Sequence, residues 1–194
     1  MSLSASRPAP SALQNLLQSH PIPANSPHEP HLHHLALQIA HNLRHQHAWT
    51  DIRLHYTTTS STAANQPLPR PLISGLPPQR LYIHPDEQIA LLQAQKAAGK
   101  SGMPDVAVER EWVLPSHLRE KWTLRRFGEV FDMVGRVPGD GEGEGLFGED
   151  GEGEEVTSEW RERLPKRLLL ATLDDDSTVT YYIVHDGIVK PRQN

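Results

Sequence analysis

The feature that most constrains this chain is near its end, where Leu168, Leu169, Leu170, Ala171, Thr172 and Leu173 are followed by Asp174, Asp175, Asp176 and Ser177, and then by Thr178, Val179, Thr180, Tyr181, Tyr182, Ile183 and Val184. Two runs rich in aliphatic, β-branched and aromatic residues around a short polar corner predict a β-hairpin. Strands this apolar are expected to be largely buried, which requires a sheet with layers on its faces. At 194 residues the chain has length for one such domain with tails.

Upstream, Leu32, Leu35, Ile39 and Leu43 recur at three- and four-residue intervals, predicting an amphipathic helix over 31–47. Period-two alternation from Trp49 to Tyr56 then predicts a strand. Segment 57–71 is a Thr, Ser, Ala and Pro run without periodicity and reads as a loop. Arg80, Leu81, Tyr82 and Ile83 predict a second short strand, and 86–98 a helix with Ile89, Leu92 and Lys96 on one side. Trp112, Val113 and Leu114 predict a third strand stopped by Pro115. Between 116 and 134 the helical phase breaks: Leu124, Phe127, Phe131 and Val134 share a face that Leu118 and Trp122 do not, so the main helix should start at a Thr123 cap and stop at Gly135.

Two stretches are expected not to fold. Residues 1–27 are Ser, Pro, Ala and Asn with few large apolar side chains, and are expected to form a disordered tail before a domain at 28–194. Segment 139–155 is nearly all Gly and acid, and 136–157 is expected, like 57–71, to be a flexible insertion. That stretch also distorts the charge. The net −5 includes eight of the 24 acids there (Asp140, Glu142, Glu144, Glu149, Asp150, Glu152, Glu154 and Glu155), leaving 19 basic residues against 16 acids elsewhere. Such a balance permits a nucleic-acid partner without demanding one. With no cysteine, disulfides and thiolate zinc sites are excluded. Without a signal-peptide pattern or a run approaching about 20 apolar residues, the expectation is a soluble intracellular protein with no membrane insertion.

The run Asp176, Ser177, Thr178, Val179, Thr180, Tyr181, Tyr182, with Asp186, Gly187 and the late Pro191, resembles the C-terminal signature of the small non-catalytic subunit of the eukaryotic tRNA-splicing endonuclease, the Sen-fifteen family. The helix over 31–47, the strand at Trp49, Gly75, Leu76 and Pro77, and the Phe127 helix follow in the order that family shows, while the two insertions look like its fungal form. The resemblance implies an α/β fold, a single mixed sheet flanked by helices, of the tRNA-intron-endonuclease C-terminal-domain type. It implies a structural subunit of a heterotetramer that cleaves introns from precursor tRNA, without a cofactor and sited in the nucleus, with the cytoplasm or an organelle surface as alternatives. The final strand would pair with a catalytic subunit through Val179, Tyr181, Tyr182, Ile183, Val184 and His185, and the corner Asp174, Asp175, Asp176 would enter a basic pocket of another subunit.

Physical chemistry agrees with the strand assignment, because an apolar edge near a chain end presents unpaired N–H and C=O groups. Taken alone, the acidic corner reads as a solvated turn; three adjacent carboxylates also suit a basic pocket. Catalysis of this type needs a base, an acid and a cation. Catalytic relatives use Tyr, His and Lys, and Tyr82 with His84 only faintly resembles their tyrosine segment, with no histidine between Pro85 and Ser116. No catalytic residue is therefore assigned. Lys166 and Arg167, at the start of an apolar strand, and Arg125 and Arg126, on the Phe127 helix beside Arg119 and Lys121, are candidate contacts for RNA phosphate; each also reads as a solvated base. His41 and His45 form an i, i+4 pair among the histidines of 28–47, but no acid completes a metal site, and these histidines are expected to face solvent. Trp49, Trp112, Trp122, Phe127 and Phe131 are assigned to the core. An interaction module that pairs with its own copy, without an RNA role, is the alternative reading, a homodimer of the isolated chain being its signature.

Overall fold

The computed structural model describes residues 9–24, 26–58, 66–102, 104, 106–139, 142–148 and 158–187. In chain order these carry α1 (Ala12–Ser19), α2 (Pro30–Gln46), β1 (Thr50–Thr57), β2 (Pro67–Leu76), α3 (Pro85–Ala97), β3 (Glu111–His117), α4 (Leu124–Met133), β4 (Glu144–Gly145), α5 (Glu159–Arg163), β5 (Arg167–Leu173) and β6 (Val179–His185). The strands form one six-stranded sheet in the order β4-β1-β2-β3-β5-β6. Its ladders are antiparallel except for the parallel β3–β5 pair, so the sheet is mixed, as expected.

Alternation along the strands gives the sheet two apolar faces. Ile52, Leu54, Ile73, Val113, Leu169 and Ala171 point to α2, where Leu37, Ile39 and Ala40 are fully buried. Leu72, Trp112, Leu114 and Leu168 point the other way, to Val130, Phe131 and Val134 of α4 and its end. Helix α2 starts on Pro30, whose missing N–H costs nothing at a first helical turn, and ends where Ala48 takes φ 54° and the Trp49 N–H returns to Leu43 O at 3.0 Å. Helix α4 begins at the expected cap, Thr123, whose side chain accepts from Arg126 N–H.

Several expectations are corrected. The tail expected to be disordered over 1–27 contains α1, capped by a reciprocal Ser11 and Gln14 pair and anchored by Leu16, 7% exposed in the main core; residues 1–8 and 25 lie outside those described. The loop expected over 57–71 gives way at Pro67 to β2; its prolines at 67, 69 and 71 precede the part of the strand that β3 pairs with, which is only Ile73, Ser74 and Gly75. Residues 59–65 lie outside the description. Arg80 to Ile83 form no strand. Strand β3 runs through Pro115, because the β2 ladder has ended at Val113 and only β5 is its neighbour there. Leu124 is 91% exposed, so the buried face of α4 is set by Val130, Phe131 and Val134 rather than by its first residue. Within the insertion expected to be flexible, residues 142–148 are built against the sheet, with β4 paired to β1 and Leu146 4% exposed. Finally, the histidines of α2 do not all face solvent. His33 is 1% exposed, its Nε2 2.9 Å from His20 O and its Nδ1 2.8 Å from the Tyr56 hydroxyl, so the neutral ring donates to the carbonyl and accepts from the phenol, tying α1 to α2 and β1.

Candidate interface strand and the ionic site at its end

Strand β6 is the sheet's edge beyond β5, paired with it along its whole length from Leu173↔Val179 to Arg167↔His185. The corner between them is built by local hydrogen bonds. Asp174 N–H donates to Thr178 O at 2.9 Å, Ser177 N–H to Asp174 O at 3.0 Å with Ser177 at φ 70°, and Thr178 N–H to Asp176 Oδ1 at 2.8 Å. Those bonds from Thr178 hold the exposed Asp176 carboxyl below the usual carboxylate range.

The expectation that both hairpin strands are buried holds for β5 but not for β6. Tyr182 and Ile183 are 53% and 40% exposed, because no further strand or helix among the described residues covers that edge. The other interface candidates are committed inward to differing degrees. Tyr181 donates to Asn42 Oδ1 at 2.6 Å and meets the His47 ring edge-on at 5.1 Å, with burial pushing its phenol pKa up. Val179 packs on the α2 face, Val184 on the α4 face, and His185 against Tyr82 at 5.1 Å. Burial first, and then Arg167 and Arg161, push the His185 pKa down.

Within the acidic corner, Asp175 is held from inside the chain. Arg119 donates to its Oδ2, and His117, whose Nδ1 accepts from Arg119 N–H, brings Nε2 to within 3.2 Å of Oδ1. Asp174 is half-buried beside a cleft of about 600 Å³ between this corner and the first turns of α2, where His31, His34 and Leu35 face it. Asp175 and Asp176 are exposed.

At the far end of β6 lies a cluster that sequence reasoning missed. Arg167 donates to Glu111 at 2.5 Å and to Glu109 at 2.9 Å; Arg161 donates to Glu111 at 2.9 Å; Arg80 reaches Glu109 at 2.7 Å and Glu87 at 3.2 Å. Three guanidinium groups thus meet three carboxylates, every side chain 5% exposed or less. Burial opposes the charge on Arg167, but its bonds to Glu111 and Glu109 outweigh that and raise its pKa. Arg161 retains Nε and Nη1 without a hydrogen-bond partner among the described residues. The available signal was the alternation Glu109, Arg110, Glu111 directly before an apolar strand, since charges at the start of a buried strand need partners.

The expected phosphate contacts are scattered. Arg167 is enclosed by carboxylates with its guanidinium over the Tyr82 ring at 5.3 Å, which corrects its placement as an exposed base. Lys166 Nζ donates to Phe131 O at 2.7 Å. Arg125 pairs with Glu129 on the exposed face of α4, and Arg126 lies over Trp122 at 4.6 Å. Tyr82 and His84 do come near Arg167 and His185, but His84 Nδ1 accepts from Asp86 N–H as the cap of α3, and its ring stacks on Trp160. His41 and His45 lie 4.4 Å apart, and among the described residues no group of three His, Asp or Glu is placed to hold a metal. No helix is long and apolar enough to cross a membrane among those residues.

The Sen15 protein family model matches residues 38–144 and 153–194, which spans β1, β2, β3, β5 and β6 and breaks off within β4. The chain belongs to the Sen15 family. It is also 45% identical over 174 residues, covering 89% of this chain and 71% of the relative, to a Neurospora crassa protein named "Probable tRNA-splicing endonuclease subunit tsp-1". The resemblance read from the hairpin is therefore borne out at the level of the Sen15 family.

Proposed function

We propose that this Sen15-family chain is a non-catalytic structural subunit of a tRNA-splicing endonuclease, pairing with a catalytic subunit through β6 and reaching precursor tRNA as part of a nuclear complex. The observation that carries the proposal is the edge at β6: seven residues that, among the described residues, pair on one side only, with Tyr182 and Ile183 exposed. A partner strand added there would satisfy the outer N–H and C=O groups and cover both side chains. Asp174, Asp175 and Asp176 then join the second heterodimer, Arg119 and His117 fixing the direction in which the corner projects.

The absence of catalysis is supported by the chemistry around Arg167. A cation that stabilises a transition state must be free to meet charge as it develops. Arg167 instead serves two carboxylates in a buried cluster, and His84 spends a ring nitrogen on a helix cap. Phosphate contact falls to Arg125 and Arg126, whose side chains are 89% and 45% exposed.

Co-expression of the full chain with the catalytic subunits of its own endonuclease tests the reading. Wild type is expected to co-purify with one of them and to support intron removal, and Tyr182→Lys with Ile183→Lys to lose both. Undiminished co-purification of the lysine variant refutes the strand interface, and cleavage of precursor tRNA by the isolated chain refutes the non-catalytic role.

A further inference from the structure

A six-stranded open sheet has two edges, and the one opposite β6 is closed by the acidic insertion. β1 would be that edge on its own. Residues 143–147 lie along it: Arg53 pairs with Gly145 and Leu54 with Glu144, and Leu146 N–H donates to Ile52 O at 3.1 Å. The segment is pinned at both ends. On one side Gly143, at φ 87°, passes so close to His55 that a Cβ there would sit 2.7 Å from the ring. On the other, Leu146 enters the core, and Phe147 meets His45 edge-on at 6.0 Å with the Arg44 guanidinium 5.8 Å from its ring centroid.

What this segment puts at the new edge is unsuited to further pairing. Its strand is two residues long, and Glu144 and Gly145 are both exposed. β1 itself breaks register twice, between Thr50 and Arg53, where Asp51 has φ 41°, and between His55 and Thr57. Short edge strands, charges and bulges are the devices by which sheets avoid edge-to-edge association. β6 has none of them over its seven residues, whose ladder with β5 is unbroken.

We infer that residues 143–147 are a strap that blocks β1 against strand addition by a second copy of this chain, so that the sheet offers one edge and its assemblies close. A chain with two open edges can propagate, each copy adding a strand to the next, whereas one edge stops at a pair. The inference rests on the β6 reading only for the count of remaining edges; the closure of β1 stands on its own contacts.

The test is light scattering over a range of concentrations on the full chain, with Leu146 amide exchange as the measure of whether the strap is seated. Wild type is expected to protect that amide and to stop at a dimer or below. Leu146→Asp with Phe147→Asp is expected to lose the protection and to rise in weight-average mass at least about twofold above wild type, without a plateau. Adding Tyr182→Lys and Ile183→Lys should return this variant to a plateau. Should those lysines change nothing in either background while the strap effect persists, the β6 reading fails and the strap inference stands. An unprotected Leu146 amide with a mass curve equal to wild type overturns the inference. Should the aspartate pair prevent folding, Glu144→Val with Gly145→Val leaves Leu146 and Phe147 in place and removes only the charge and flexibility at the edge. It is expected to self-associate more than wild type, and an unchanged mass overturns the inference equally.

Discussion

Acid is expected to unfold this domain chiefly through His55. The ring is buried, Nε2 lies 2.8 Å from Ser74 Oγ, and Trp112 meets it edge-on at 4.8 Å. Burial, and then the charges of Arg110 and Arg53, push its pKa from 6.5 down to about 4. A depressed imidazole pKa means that the native state declines a proton which the unfolded chain accepts. The contribution is therefore complete above 6.5 and is lost as pH falls towards 4. Between about pH 7.5 and about pH 5, the difference in proton uptake amounts to about 2 kcal/mol, a sizeable part of the stability of a domain this size.

Urea unfolding at a series of pH values measures this directly, with His55→Gln as the reference. Glutamine keeps an amide near Ser74 but cannot titrate. His28, His33, His41 and His185 also have lowered pKa values and contribute with the same sign, so wild type retains a slope from them that the variant shares. The difference between the two profiles isolates His55. Equal pH slopes in wild type and His55→Gln would refute the argument, since a ring that gains no proton on unfolding cannot be one that burial keeps neutral.

Three further outcomes follow from the same contacts. Glu111→Gln strands Arg161 as a buried cation, leaves Arg167 with Glu109 alone, and should cost about 3–5 kcal/mol in urea unfolding, more than any surface carboxylate. Gly143→Ala meets both the left-handed backbone and the His55 ring, and should lower stability by about 1–3 kcal/mol while raising Leu146 amide exchange. Leu43→Ala, in the fully buried face of α2, should cost about 2–5 kcal/mol, whereas Leu124→Ala should stay within about 0.5 kcal/mol by thermal or urea denaturation, although both are leucines on predicted apolar helix faces.

That contrast marks where the sequence could be read. Helix α2, strands β1 and β5 and the cap at Thr123 follow from periodicity and local hydrogen-bonding chemistry, which depend on neighbours in sequence. The position of β6 was legible too, but its exposure was not: an apolar strand looks the same whether the layer that covers it is its own chain's or a partner's. The ionic cluster was out of reach for a related reason. Arg80, Glu87, Glu109, Glu111, Arg161 and Arg167 come from five places in the chain, and only the parallel pairing of β3 with β5 brings Glu111 beside Arg167. Each alone resembles an ordinary surface charge.

The insertion failed for a different reason, and it shows the limit of composition as a guide. Averaged over 139–155, Gly and acid dominate and predict no structure, yet the ordering depends on two apolar side chains in that window, Leu146 and Phe147. Burying Leu146 is worth about 2 kcal/mol, and it joins the core cluster that α2 and β1 already share. The glycine at 143 that composition counts as flexible is required there, because no side chain fits against His55. Even the acidic character has a use once Glu144 is the outward residue of an edge strand. A short anchor inside a low-complexity stretch is therefore best sought as a pair of large apolar residues next to a glycine. In this chain that search finds one element, and that element decides which edge of the sheet stays open.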